Sequence, residues 1–253
     1  MQIAFVNPPH ADWSLANNMT YLIVQSYYNR FGKYADQVNW IPAPYKWDKY
    51  ESFDEVIEEI IEADIIMFSS YAWNYTIIDG LSKQIKEEYP EKILVLGGPH
   101  IGTNEPELLE ARPQYDFICQ PTKPGEPFME DLINNYIEGT LEPDKIAWEL
   151  RSIGGRVHDL GKEDYSVYED HMEYLKETVD YARDNKMEPF IILESTRGCP
   201  YKCVFCEWGG GINTKIYKKD VSIVKRDIDA MKKAGYRDAY LTDANFGAFA
   251  DRD

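Results

Sequence analysis

Over its first 140 residues the chain alternates short continuous apolar runs with stretches whose apolar residues recur every three or four positions. "QIAFVNPP" (2–9) is an apolar run closed by Asn-Pro-Pro, the pattern of a buried parallel strand and its terminating loop. "NMTYLIVQSYYNRFG" (18–32) has the helical period and stops on a glycine. "DQVNWIPAP" (36–44) is predicted as a strand, and "SFDEVIEEIIEA" (52–63) as an amphipathic helix with Ser52 and Glu55 spaced as a capping box. "DIIMFSSYAWN" (64–74), "KILVLGGPH" (92–100) and "YDFICQ" (115–120) read as further strands. The helices between and after them are "YTIIDGLSKQIKEEYP" (75–90), "PELLEAR" (106–112) and "EPFMEDLINNYIEG" (126–139).

Strands separated by helices in this rhythm predict an α/β fold, a doubly wound parallel sheet of the Rossmann-like or flavodoxin-like kind. Ligands of such sheets bind beyond the carboxyl ends of the strands. That edge carries Asn7-Pro8-Pro9, Ser69–Asn74, Gly97–Gly102 and Gln120–Glu126. Small residues there, Ser69, Ser70, Gly97 and Gly98 among them, let a backbone approach a large flat ligand. Glycines that merely make turns would give the same pattern.

From residue 140 to 188 the chain turns polar and tyrosine-rich, with 152–171 reading as a linker or irregular cover and 172–185 as a helix. An apolar strand, "PFIILES" (189–195), then runs straight into a cysteine-rich loop. A helix (221–235) and a strand (238–247) follow, the latter with Asp243, Asn245 and Gly247 at its tip. The expected divisions are 1–140, 141–188 and 189–253, the last holding one and a half turns of a β/α repeat.

Charge narrows the partners. Lys+Arg 27 against Asp+Glu 44 gives −17, which argues against a phosphate-backbone partner. The one basic stretch, "KIYKKDVSIVKR" (215–226), reads as a solvated helix face. No apolar run approaches the ~20 residues of a membrane span, and the N-terminus lacks the marks of a signal peptide. Three clustered cysteines out of four make no disulfide framework, so a cytoplasmic protein with metal or redox chemistry is expected.

Cys199, Cys203 and Cys206 are spaced C-x3-C-x2-C. Zinc would want a fourth protein ligand, and no histidine lies at finger-like spacing; Cys119 is far off on a predicted buried strand. A redox pair in "CVFC" leaves Cys199 unexplained. A four-iron, four-sulfur cluster fits better, since three thiolates hold three irons and leave the fourth open. Gly198 and Pro200 permit a tight loop, and Phe205 sets an aromatic face beside the last cysteine.

The motif "TRGCPYKCVFC" after an apolar strand resembles that of the radical S-adenosylmethionine enzymes. "IAFVNPP", "ILVLGGPH", "FICQPTKPGEPFMEDLI", "CEWGGG" and "LTDANFG" are similar to the branch with an N-terminal cobalamin-binding-type domain. The resemblance implies a 4Fe–4S cluster whose open iron chelates S-adenosylmethionine, reductive cleavage to a 5′-deoxyadenosyl radical, and a partial β/α (TIM-like) barrel opening at residue 189. It implies Phe205 near the adenine and, where the family has Gly-Gly-Glu, Asp243 and Asn245 near the methionine end. It further implies cobalamin on the first sheet, methyl transfer or related radical chemistry on a small molecule or peptide, and an external reductant of the flavodoxin or ferredoxin type. Two departures stand out. The Asp-x-His-x-x-Gly motif is absent, His100 lying in a different context, so no protein histidine is expected on cobalt. Only the first barrel unit and second strand are present, so either a fragment or a second chain completing the barrel is expected; a non-catalytic or split half-module is the alternative. A methylthiotransferase is disfavoured, because its N-terminal domain would need three more cysteines.

Overall fold

The computed structural model describes residues 1–9, 19–101, 110–119, 125–141, 164–201 and 216–247. The chain divides into two compact units, Met1–Ser14 with Asn18–Gly155, and Arg156–Asp253 with Leu15–Asn17.

The first unit is a sheet of five parallel strands, β1 (Gln2–Val6), β2 (Asn39–Trp40), β3 (Ile65–Ser69), β4 (Ile93–Gly97) and β5 (Phe117–Ile118), in the order β2-β1-β3-β4-β5. That is the flavodoxin-like order of the doubly wound class. The central strands are predominantly apolar because both of their faces are covered; every residue of β3 is buried. Ala4, Val6, Ile66, Phe68, Leu94 and Leu96 pack with Val56, Ile57 and Ile60 of α2 (Phe53–Ile60) and Ile78, Leu81 and Ile85 of α3 (Tyr75–Glu88). Phe5, of the alternate set, meets Tyr21 of α1 (Met19–Phe31) at 6.5 Å between ring centroids. Helix α1 is tied to α4 (Gly125–Glu138) by Tyr27 Oη on Glu130 and Tyr28 Oη on Asn134, each at 2.9 Å.

Two local expectations change. The strand predicted over 36–44 shrinks to Asn39–Trp40, because a 3-10 turn occupies Ala35–Gln37 and Pro42 and Pro44 have no N–H for a ladder. The capping box at α2 is displaced: the Ser52 side chain makes no capping bond, and Glu55 Oε2 accepts from the Glu51 amide at 2.9 Å.

In the second unit β6 (Phe190–Leu193) pairs in parallel with β9 (Asp238–Leu241), and β7 (Thr196–Arg197) pairs antiparallel with β8 (Tyr217–Lys218). Residues 164–171, read from sequence as linker or cover, are packed. Tyr165, Val167 and Tyr168 are buried, and the Tyr168 hydroxyl donates to the Ile192 carbonyl of β6. They form a short helix, α5 (Val167–Asp170), ahead of α6 (Met172–Asp184). Helix α7 (Val221–Ala234) starts on Asp220, which accepts from the Ser222 amide at 2.8 Å, and ends on Gly235 at φ 106°. The strand predicted over 238–247 ends at Leu241, and all four residues of β9 are exposed.

The basic stretch is not a free patch. Arg226 Nε donates to Glu169 at 3.0 Å, and Lys219 Nζ is buried 3.3 Å from Asp227 of α7. Asp227 also accepts from Ser166 Oγ at 2.6 Å, while Ser166 caps α5 through the Glu169 amide. Removing one member of a buried ion pair strands the other charge. Asp227→Ala is therefore expected to cost about 3–5 kcal/mol, seen as a lower urea midpoint of the second unit, with Asp227→Asn costing less.

Candidate functional site

Parallel strands end at the carboxyl edge of the first sheet with backbone groups that no ladder satisfies, and side chains take them over. Asn74, between β3 and α3, is fully buried. Its Nδ2 donates to Asn7 Oδ1 at 3.1 Å, the Pro8 carbonyl at 3.0 Å and the Ser69 carbonyl at 3.1 Å, while its Oδ1 accepts from the Tyr71 amide at 2.8 Å. Two hydrogens serve three acceptors, so one bond is shared. This amide ties the end of β1 to the end of β3, the point where the doubly wound order reverses and where such folds hold their ligands.

The same edge brings together all four residues singled out in the first unit. Ser69 is in register with Gly97, and the Ser70 amide donates to the Gly97 carbonyl at 2.7 Å. The Ser70 carbonyl accepts from the His100 amide at 3.2 Å. Gly98 sits at φ 99°, and a Cβ there would lie 2.4 Å from Ser70 O, so only glycine fits. At Gly97 a Cβ would meet nothing closer than Cys119 Cβ at 3.7 Å and Phe68 O at 3.8 Å. Internal packing does not require that glycine, and its bare backbone leaves room for an approaching ligand. Ser70 Oγ is buried without a hydrogen-bond partner. In the same loop Tyr71 and Trp73 stack at 4.5 Å and 13°, with Trp73 46% exposed. An orphaned hydroxyl, an unfilled glycine and a half-exposed aromatic ring fit a large flat ligand such as a corrinoid.

Cys119, just past β5, is a different kind of cysteine from the clustered three. Burial of the thiol, with Glu126 adding, pushes it up to about 12, so it stays protonated at neutral pH, while the residue as a whole is half-buried.

In the second unit, β7 and β8 form the stem of the cysteine loop, with Thr196 opposite Lys218 and Arg197 opposite Tyr217. Arg197 forks onto Glu194, Nε to Oε1 at 2.9 Å and a terminal nitrogen to Oε2 at 2.7 Å. Gly198, at φ 100°, turns the chain into Cys199, whose Sγ lies 4.0 Å from the Tyr201 carbonyl. Cys203, Phe205 and Cys206 lie outside the described residues. Among the described residues no group of three or more His, Cys, Asp or Glu is placed to hold a metal.

At the tip of β9, Asp243 Oδ1 accepts from the amides of Ser195 (2.7 Å) and Thr196 (2.9 Å), and Oδ2 accepts from Ser195 Oγ. Asn245 Nδ2 and Thr196 Oγ1 are buried and unpartnered beside it in sequence or in hydrogen bonding. Sequence reasoning missed Asn74 and Ser195. Asn74 has the look of an ordinary helix N-cap, yet it makes no side-chain cap bond and points its amide at the strand ends instead.

Comparison with known proteins shows what the chain is similar to. Residues 36–130, which span β2 to the first turns of α4, match the family model of the B12 binding domain. Over 226 residues the chain is 26% identical to the cobalamin-dependent radical SAM methyltransferase TokK of Streptomyces tokunonensis, covering 85% of this chain and 33% of TokK. It is 24% identical over 228 residues to the 2-(S-pantetheinyl)-carbapenam-3-carboxylate methyltransferase of Streptantibioticus cattleyicolor, again covering 85% of this chain and 33% of the relative. The chain thus spans about a third of the length of these relatives. Among solved structures it is similar to the cobalamin-dependent S-adenosylmethionine radical enzyme OxsB with aqua-cobalamin and S-adenosylmethionine bound, at TM-score 0.70 and 18% identity over 97% of this chain and 34% of OxsB. The radical S-adenosylmethionine methyltransferase TsrM of Kitasatospora setae follows at TM-score 0.62 and 16% identity, over 98% of this chain and 48% of TsrM. At these identities the structures establish the fold, an α/β unit with a flavodoxin-like parallel sheet.

Gly98→Ala must move the Ser70 backbone and abandon a left-handed φ, two effects that each cost about 1–3 kcal/mol. The expected result is a lower melting temperature in thermal denaturation, whereas Gly97→Ala, with room for its methyl, melts close to wild type.

Proposed function

We propose that the chain is the corrinoid- and cluster-binding portion of a cobalamin-dependent radical S-adenosylmethionine enzyme that methylates a small molecule or peptide. One observation carries the reading: a single chain joins a sheet edge built from Asn74, Ser70, Gly97 and Gly98 to a strand-ended C-x3-C-x2-C loop. The similarity to TokK runs across both units, over 85% of the chain.

Cys199, Cys203 and Cys206 hold the cluster as thiolates, and the position they leave open takes S-adenosylmethionine. In this reading Phe205 is assigned to the adenine and Asn245, whose Nδ2 is buried and unpartnered, to the methionine end. Ser69, Ser70, Gly97 and Gly98 receive the corrinoid, and with the Asp-x-His-x-x-Gly motif absent no protein histidine is assigned to its cobalt. The cofactors, when bound, supply radical generation and a methyl-carrying cobalt. The protein's own work is to orient them and exclude water. Electrons come from a flavodoxin- or ferredoxin-type donor.

A second reading has its own support. Every residue of β9 is exposed, and among the described residues β9 pairs only with β6, leaving an edge that a further strand would cover. A split half-module that needs more barrel from elsewhere is consistent with that edge. Among the described residues no helix is long and apolar enough to cross a membrane.

Anaerobic reconstitution tests both readings. The enzyme reading expects a corrin absorbance retained after desalting from hydroxocobalamin, and 5′-deoxyadenosine on reduction with S-adenosylmethionine. Retained cofactors without cleavage, restored by a complementary barrel chain, would select the half-module. Cys203→Ala is expected to abolish cluster binding; wild-type iron content in that variant would remove it from the ligand set.

A further inference from the structure

The resemblance to radical S-adenosylmethionine enzymes implies Asp243 near S-adenosylmethionine, but in the structure that carboxylate is already committed. Oδ1 accepts from the Ser195 and Thr196 amides at 2.7 and 2.9 Å, and Oδ2 from the Ser195 hydroxyl. The Ser195 carbonyl in turn accepts from the Lys219 amide at 2.9 Å, so every polar group of Ser195 is engaged. Lys219 follows β8, the strand on which the cysteine loop returns, and its ammonium is buried against Asp227. Ser195 and Thr196 lead into Gly198-Cys199. We infer that Asp243 is a positioning residue: its carboxylate latches the entry of the cysteine loop to the tip of the neighbouring strand and so fixes where Cys199 stands.

This rests on the reading of Cys199, Cys203 and Cys206 as cluster ligands. A carboxylate accepting three hydrogen bonds has its charge well used, and withdrawing it to meet a ligand would leave two amides unpaired. Asn is a near-isosteric replacement: its oxygen can serve both amides, and its NH2 can donate to Ser195 Oγ, whose own proton turns away. Ala can do neither.

The test compares wild type, Asp243→Asn and Asp243→Ala as the full chain after anaerobic reconstitution. Three readouts are taken: hydrogen exchange of the 195–196 amides by mass spectrometry, iron per chain, and the EPR spectrum of the reduced cluster with and without S-adenosylmethionine. A latch predicts exchange faster by about tenfold or more in Asp243→Ala, with iron down by about half or more. It predicts near wild-type values in Asp243→Asn, with the spectral change on adding S-adenosylmethionine preserved. Wild-type exchange in Asp243→Ala overturns the inference. So does an Asp243→Asn variant that keeps its iron but loses the spectral change, because that marks direct contact with the ligand. Failure of the wild type itself to take up iron would refute the cluster reading instead, and the exchange comparison would still decide the latch.

Discussion

Both units face the same constraint: a parallel strand that ends in a loop runs out of ladder partners just where the chain must hold still. The solution is the same in each, a single short side chain that collects the orphaned backbone groups of a neighbouring strand. In the first unit the Asn74 amide gathers the Pro8 and Ser69 carbonyls, joining β1 to β3. In the second the Asp243 carboxylate gathers the Ser195 and Thr196 amides, joining β6 to β9. The chemistry matches the need, since an NH2 answers carbonyls and a carboxylate answers N–H groups. Because buried backbone groups are costly to leave unmade, these ties specify the loop conformations on which any ligand site depends.

Much of the fold was legible in the sequence because its signals are local. Continuous apolar runs in β1, β3 and β4 follow from burial on both faces, and α3 and α7 show full helical periods with a glycine closing α7. What was illegible depended on contacts distant in sequence. The segment 164–171 is polar and tyrosine-rich, yet Tyr168 reaches a carbonyl of β6 and Ser166 reaches Asp227, sixty-one residues on. No local pattern announces that.

The candidate site was legible in its parts and not in its wiring. The three-cysteine spacing and the Gly-Gly turn stand out in any window of the sequence. The distinction between Gly98, which its surroundings demand, and Gly97, which they do not, appears only when the Ser70 backbone is in place. Asp243 likewise sits past the end of β9 in the loop where the pattern puts it, while its partners, the Ser195 and Thr196 amides, appear only in the structure. Cys119, alike in type to the clustered three, is set apart by burial that keeps its thiol protonated.

If one chain holds both a corrinoid and a cluster with an open iron, its metal content after anaerobic reconstitution and gel filtration, read by mass spectrometry of the elements, is about one cobalt and about four irons. Iron without cobalt, or one zinc in place of the irons, would overturn the proposal.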